Sequence, residues 1–184
     1  MVSVAAGSPK RAMSIIPRAV VDTGPLYSIL VLKYSITLSP RAAAAMIPKS
    51  RISEYLREAG LQRAMVYLFD GMQTILTSSH VIGELQGLQN LQGDSQRAFW
   101  LFAMNWLSSK GLDERLLRLL DLNAETRSQS AVCEIGPTDT GLLELAFREG
   151  TVLLTDDRNT LARLAWAQGI DCRLVMNVLE SMSA

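Results

Sequence analysis

In this 184-residue chain, the side chains best suited by type and position to catalysis or metal binding are carboxylates. Asp22 directly follows the apolar run 19–21, and Asp156 and Asp157 follow the apolar run 152–154 after a single threonine. In open parallel sheets, ligands bind outside the carboxyl ends of the strands. These three acids are therefore the first candidates for a catalytic or metal-binding site.

Two more acids are predicted to reach the same edge of the sheet from helices. Asp139 lies just past Pro137 and Thr138 at a predicted helix start, and Glu84 lies in the second turn of a helix that begins near Ser79. Helices that follow parallel strands begin at the edge where those strands end, so four or five carboxylates are expected to converge. Carboxylates without a counter-charge raise one another's pKa, so such a cluster usually holds a hard divalent cation. Mg²⁺ or Mn²⁺ suits oxygen ligands of this kind.

Each acid taken alone also has a structural interpretation. Asp22 suits an Asx turn, and Asp139 suits the positive end of a helix dipole. Either Asp156 or Asp157 suits the cap of the helix that follows, and Glu84 suits a solvated helix surface. The metal hypothesis therefore depends on the joint placement of the acids rather than on any one of them.

Composition limits the other chemistries. The chain has 48% hydrophobic and 20% charged residues and no net charge, which is typical of a globular domain and excludes collagen-like, disordered and disulfide-scaffold classes. Its one histidine, His80, disfavours histidine-based catalysis or metal binding. Cys133 and Cys172 have no pair spacing, which favours reduced thiols in the cytoplasm.

Charge is unevenly distributed along the chain. Residues 1–53 carry seven basic side chains and one acid, which indicates either a surface that faces phosphates or an ordinary solvated face. Residues 1–17 lack the apolar stretch of a signal peptide and are predicted to be a flexible tail, followed by one domain over 18–184. No apolar run approaches the ~20 residues of a membrane span, so a cytoplasmic protein without membrane contact is expected. The seven basic residues are Lys10, Arg11, Arg18, Lys33, Arg41, Lys49 and Arg51.

Apolar runs and turn residues outline an α/β fold. The strand runs do not alternate with polar residues, which is typical of a parallel sheet covered by helices on both faces. The predicted architecture is three-layer α/β/α with a central, mostly parallel sheet and extra helices between the first and second strands; the type of 26–38 stays open. Predicted strands cover 19–21, 74–77, 152–154 and 172–175. Predicted helices cover 41–47, 53–59, 61–69, 79–88, 94–109, 113–122, 137–149 and 158–168.

Four stretches of the chain resemble the PIN-domain ribonucleases, a family that includes the toxin nucleases of bacterial toxin–antitoxin pairs. The most specific part is the 18-residue step from Asp139 to Asp157 with Gly150 between them. The 62-residue interval from Asp22 to Glu84 is longer than in compact toxin members, so its helices are interpreted as an elaboration of a PIN-like fold. The four stretches are 20–23 (VVDT), 78–85 (SSHVIGEL), 139–146 (DTGLLELA) and 150–157 (GTVLLTDD).

The resemblance implies an enzyme that hydrolyses RNA phosphodiester bonds with Mg²⁺ or Mn²⁺ and leaves a 5′-phosphate. Glu84 would orient a water or complete the shell of the metal, and the basic residues of the first third would follow the phosphates of the RNA. Partner hypotheses beside RNA are an antitoxin or other inhibitor protein, and a second copy in a homodimer. The implied catalytic residues are Asp22, Glu84, Asp139 and Asp157; the implied metal ligands are Asp22, Asp139, Asp157 and Asp156; the implied substrate contacts are Thr155, Arg158 and Thr23.

Other functional classes fit the sequence less well. Asp-Thr-Gly, the catalytic triplet of aspartic proteases, occurs at 22–24 and 139–141, but the second copy continues into a helical pattern. Gly24 stands where a haloacid-type phosphatase needs a second Asp, and the late-strand lysine of a phospho-receiver domain is missing. The alternative that stays open is a catalytically weak PIN-fold module that binds RNA or protein. The presence of all four acids favours the enzyme.

Overall fold

The computed structural model describes residues 16–37, 58–88, 92–111, 113–115 and 131–183. Within these ranges the chain forms five strands and seven helices. The strands are β1 (Arg18–Val21), β2 (Thr74–Ser78), β3 (Asp113–Arg115), β4 (Val152–Thr155) and β5 (Cys172–Leu174). The helices are α1 (Thr23–Thr37), α2 (Ala59–Gly71), α3 (Ser79–Leu88), α4 (Gly93–Ser109), α5 (Ala131–Glu149), α6 (Leu161–Ala167) and α7 (Val175–Ser183).

The strands form one sheet in the order β3-β2-β1-β4-β5, and every pairing between neighbours is parallel. The predicted α/β class with a parallel sheet is confirmed, and the helices around it are compatible with three layers. The chain leaves β1 toward β2 on one side and later returns to β4 on the other side. The strand order therefore reverses between β1 and β4, which is where open parallel sheets bind their ligands.

The central strands are buried except for Arg18 at the start of β1. Val20 and Val21 of β1, and Leu153 and Leu154 of β4, are 0% exposed. A strand covered on both faces has no polar side to alternate with, which explains the continuous apolar runs in the sequence.

Helix α1 explains the segment whose type the sequence left open. Most of its residues are buried, from Pro25 through Leu32, so the helix has apolar positions around most of its circumference. A helix of this kind shows no amphipathic period, because almost no face of it is in contact with water.

Two predicted helix boundaries are wrong. Gly60 does not follow the end of a helix: it is the second residue of α2, which begins at Ala59 after the extended Glu58 and runs to Gly71. Gly60 lies next to Ser183 of α7, on which α2 packs. The helix predicted from Arg158 begins only at Leu161, after a turn.

The predicted helix 113–122 is wrong at its start. Asp113–Arg115 forms strand β3, whose backbone pairs with β2 from Leu76 to Ser78. An edge strand obtains its hydrogen bonds from a neighbour that is distant in sequence, so the local amphipathic pattern does not reveal it. Helix α7 is an element that the sequence interpretation did not include.

Some predictions fall outside the described residues. These are the tail over 1–15, the helix 41–47, most of the helix 53–59, and the remainder of 113–122 beyond Arg115. Ile16 is buried, and the carbonyl oxygen of Pro17 accepts hydrogen bonds from the backbone N–H groups of Gln73 and Thr74, so these last two residues of the predicted tail 1–17 are in contact with the fold. In the described ranges, no helix has the length and apolar character needed to cross a membrane.

Candidate functional site

Asp22 lies at the point where the strand order reverses. Its backbone N–H donates a hydrogen bond to the carbonyl oxygen of Leu154, 3.0 Å away, so the pairing of β1 with β4 extends to Asp22 itself. The carboxylate is fixed on both sides: the hydroxyl of Thr155 donates to Oδ2 and the N–H of Thr23 donates to Oδ1, each over 2.6 Å. The side chain therefore has one defined orientation at the carboxyl ends of the two central strands.

The environment of Asp22 disfavours its charged form. Burial raises the pKa of Asp22 above its usual value, and the carboxylates of Glu84 and Asp157 raise it further. The hydrogen bonds from Thr155 and Thr23 offset part of this effect. Asp22 is thus a desolvated acid whose charged form a nearby cation would stabilise.

Thr155 connects the acids of the two central strands. It is 0% exposed; its Oγ1 donates to Asp22 and accepts a hydrogen bond from the N–H of Asp157 over 3.0 Å. The sequence interpretation assigned Thr155 to substrate contact, but its hydroxyl is occupied by two protein groups. Its observed role is to position the carboxylate of Asp22 and the backbone of Asp157.

Thr155→Val tests this role. We expect the free energy of unfolding to fall by about 1–3 kcal/mol, because the substitution leaves the N–H of Asp157 and an oxygen of Asp22 without a partner. Thr155→Ser retains the hydroxyl and is expected to keep most of the stability. Urea denaturation of the three proteins provides the measurement; equal stability of the valine and serine variants would contradict the assigned role.

Asp157 caps the turn that leads into α6. Its Oδ1 accepts hydrogen bonds from the N–H groups of Asn159 and Thr160, each over 3.0 Å, and its Oδ2 accepts one from Leu161 over 3.3 Å. Of the two acids predicted as a cap, Asp157 caps this turn, whereas the N-cap position of α6 itself is Thr160. Burial alone would raise the pKa of Asp157, but these backbone hydrogen bonds prevail and hold it below its usual value. Asp157 therefore stays ionised more readily than Asp22 or Asp139, whose pKa values are raised.

Asp139 is positioned by an interruption in α5. Gly136, with φ 84° and ψ 169°, breaks the helical conformation, and Pro137 begins a second helical segment in which Asp139 occupies the first turn. Burial raises the pKa of Asp139 to about 6, and the charges of Asp22, Asp157 and Glu84 add to this shift. The four acids therefore act on one another electrostatically as a single group, as their predicted convergence requires.

Glu84 is held by two threonine hydroxyls although it lies on an exposed part of α3. Thr23 donates to its Oε2 and Thr138 donates to its Oε1, each over 2.6 Å. The sequence interpretation missed Thr138. The available signal was its position beside Pro137 at a helix start, on the same turn as a candidate acid.

Asp156 and Arg158 flank the capping acid. Asp156 turns toward the start of α1, where its Oδ2 would lie 3.3 Å from a Cβ placed on Gly24. The close approach of this carboxylate gives Gly24 a packing role. Arg158 is exposed in the turn that follows Asp157, and it is the basic side chain nearest in sequence to the acids.

The donor set fits a hard divalent cation. All four acids offer oxygen atoms, and burial together with the neighbouring carboxylates raises the pKa values of Asp22 and Asp139. Among the described residues, no group of three or more His, Cys, Asp or Glu side chains lies close enough together to hold a metal ion. A Mg²⁺ or Mn²⁺ ion at this edge would therefore take part of its coordination from waters and substrate phosphates.

Two basic residues within 1–53 form ion pairs with acids that do not belong to the candidate site. Arg18, at the opposite end of β1 from Asp22, contacts Glu149 over 2.6 Å, and Lys33 contacts Asp70 over 2.6 Å. Both residues are therefore paired with acids, and the phosphate-facing surface of the basic residues in 1–53 stays a prediction. The other five basic residues of 1–53 lie outside the described ranges.

One cavity in the described part of the chain is separate from the acids. It has a volume of about 610 Å³ and is lined mainly by residues of α2, β5 and α7, with Trp166 of α6. None of the four acids lines it. The acidic group instead lies at the sheet edge, which suits an extended substrate better than an enclosed small molecule.

No family model, curated protein or solved structure matches the chain.

Proposed function

We propose that this protein is a divalent-metal-dependent ribonuclease of PIN type. The observation that supports the proposal most strongly is the electrostatic coupling of Asp22, Glu84, Asp139 and Asp157 at the reversal of strand order. Acids whose negative charges repel one another destabilise the folded state, and a bound cation would offset this repulsion. Structural capping explains Asp157 alone and leaves the other three acids unexplained.

Asp22, Asp139 and Asp157 are the residues that would hold the cation, with Asp156 adjacent. A bound divalent cation supplies charge neutralisation at phosphoryl oxygens and lowers the pKa of water. Asp22 is oriented for this role by Thr155 and the N–H of Thr23. Asp139, with its pKa raised to about 6, is largely ionised at neutral pH and would have to release a proton to bind a cation only at lower pH.

The remaining residues would orient water and substrate. Glu84 presents a carboxylate whose direction is set by two hydroxyls, so it can accept a hydrogen bond from a water at a defined place. Arg158 is exposed beside Asp157 and would contact a phosphate of the RNA backbone. The antitoxin or other inhibitor, the homodimer and the cytoplasmic location stay predictions.

The test is cleavage of labelled single-stranded RNA in the presence of Mn²⁺, Mg²⁺ or EDTA. We expect cleavage with either metal, none with EDTA, and loss of activity in Asp157→Asn. This variant is informative because it removes the charge while its amide oxygen can still accept the hydrogen bonds of Asn159 and Thr160; only the weaker contact from Leu161 is lost. Absence of cleavage together with absence of Mn²⁺ binding by calorimetry would reject the enzyme and favour the RNA- or protein-binding module.

A further inference from the structure

We infer that Thr138 is a positioning residue of the proposed active site, where it and Thr23 hold the carboxylate of Glu84 in one orientation. The inference rests on the proposed function. Its basis is that both oxygens of Glu84 accept hydrogen bonds at 2.6 Å from hydroxyls on different helices, Thr23 on α1 and Thr138 on α5.

Glu84 needs such restraint because of where it lies. Its residue is exposed on α3, and a glutamate side chain in that setting has large rotamer freedom. A carboxylate has about four lone-pair sites, so each oxygen of Glu84 retains acceptor capacity after receiving one hydroxyl. The remaining lone pairs are consequently held in a fixed direction, which an unrestrained surface glutamate would not provide.

The backbone brings Thr138 to this position. The break at Gly136 and the start of the second helical segment at Pro137 place Thr138 and Asp139 in the same helical turn. The hydroxyl of Thr138 therefore couples the placement of Glu84 to that of Asp139. Because Thr138 is only partly buried, loss of its hydroxyl should disturb this coupling without unfolding α5.

The chain offers a matched control in Thr140. It lies two residues further along the same helix, it is also a threonine, and its Oγ1 donates over 2.8 Å to the carbonyl oxygen of Gly136 rather than to an acid. Thr140→Val removes a hydroxyl from the same turn while leaving the partners of Glu84 in place. Its effect should be on stability alone.

The experiment measures RNA cleavage by the full chain with saturating Mn²⁺. For Thr138→Val we expect kcat to fall about 10- to 100-fold with KM nearly unchanged, as for other residues that orient ligands of a metal site. Thr138→Ser keeps the hydroxyl and should restore most of kcat, and Thr140→Val should keep kcat while lowering the thermal midpoint. In the Glu84→Gln background, Thr138→Val should have little further effect on kcat, since its partner carboxylate is already lost.

The outcomes separate this inference from the proposed function. If wild-type protein cleaves RNA and Thr138→Val retains the kcat of Thr140→Val, or is not rescued by serine, the positioning role is overturned and the ribonuclease stands. If the wild-type protein neither cleaves RNA nor binds Mn²⁺ in calorimetry, the proposed function is overturned and the positioning role with it.

Discussion

Asp22→Asn is expected to abolish metal-dependent RNA cleavage while raising the thermal stability of the metal-free protein. Activity should fall by about 10³-fold, because the charge stabilisation that a bound cation provides contributes several kcal/mol to such reactions. Stability should rise at neutral pH, because burial raises the pKa of Asp22 and the ionised form therefore destabilises the folded state. Cleavage kinetics and thermal unfolding without metal measure the two effects.

Opposite signs of the two effects distinguish a metal ligand from a structural residue. A structural Asp22, for instance one that serves only an Asx turn, would lose stability on substitution. Asp171→Asn is the matched control, since Asp171 is exposed and paired with Arg173, apart from the acids. We expect this control to keep both activity and stability near wild type. A destabilised Asp22→Asn with normal cleavage would contradict the assignment.

The second large effect concerns how the free energy of unfolding changes with pH. A bound cation should reverse the direction of this change. The pKa of Asp139 is about 6 in the folded protein against 3.8 for the ordinary carboxyl. Between these values the folded state binds more protons than the unfolded state, so the free energy of unfolding falls as pH rises from about 4 to about 6. Asp22 contributes in the same direction because its pKa is also raised.

Mn²⁺ should stabilise the protein more at high pH than at low pH, because the cation binds the deprotonated acids. Below the pKa of Asp139, affinity for Mn²⁺ is expected to fall by about tenfold per pH unit for each proton displaced. Thermal unfolding from pH 4 to 8 with and without Mn²⁺ measures both effects. Asp139→Asn should flatten the metal-free curve between pH 4 and 6. A wild-type curve that rises over this interval would contradict the placement of Asp139 in the cluster.

Much of the site was predictable from the sequence because its acids lie at recognisable positions. Asp22 and Asp157 follow buried strands, and Asp139 follows a proline that begins a helical segment, all of which are local features of the chain. Their electrostatic coupling across more than a hundred residues follows once the strands are parallel. The residues that set their orientation were harder to find, because Thr138 acts on Glu84, 54 residues away in sequence.

Some elements were not predictable for equally specific reasons. Asp113–Arg115 has the local pattern of a helix start, and only pairing with β2 makes it a strand. Gly60 has the sequence signal of a helix end, but it lies in the first turn of α2, which packs on α7. Arg18 was counted with a basic surface, whereas its ion pair with Glu149 joins two residues 131 positions apart. In each case a distant partner outweighs the local preference.

The sequence by itself determined the α/β class, the central strands and the identity of the candidate acids. These features depend on residues that are consecutive in the chain, namely apolar runs and the carboxylates that follow them. Only the tertiary structure decided the strand order β3-β2-β1-β4-β5, and with it the meeting of Asp22 and Asp157 at one edge. It also decided which threonines hold the acids and which carboxyl groups have raised pKa values. The physical reason is that burial, hydrogen bonds and Coulomb forces depend on distance in space, and the sequence specifies this distance only through the fold.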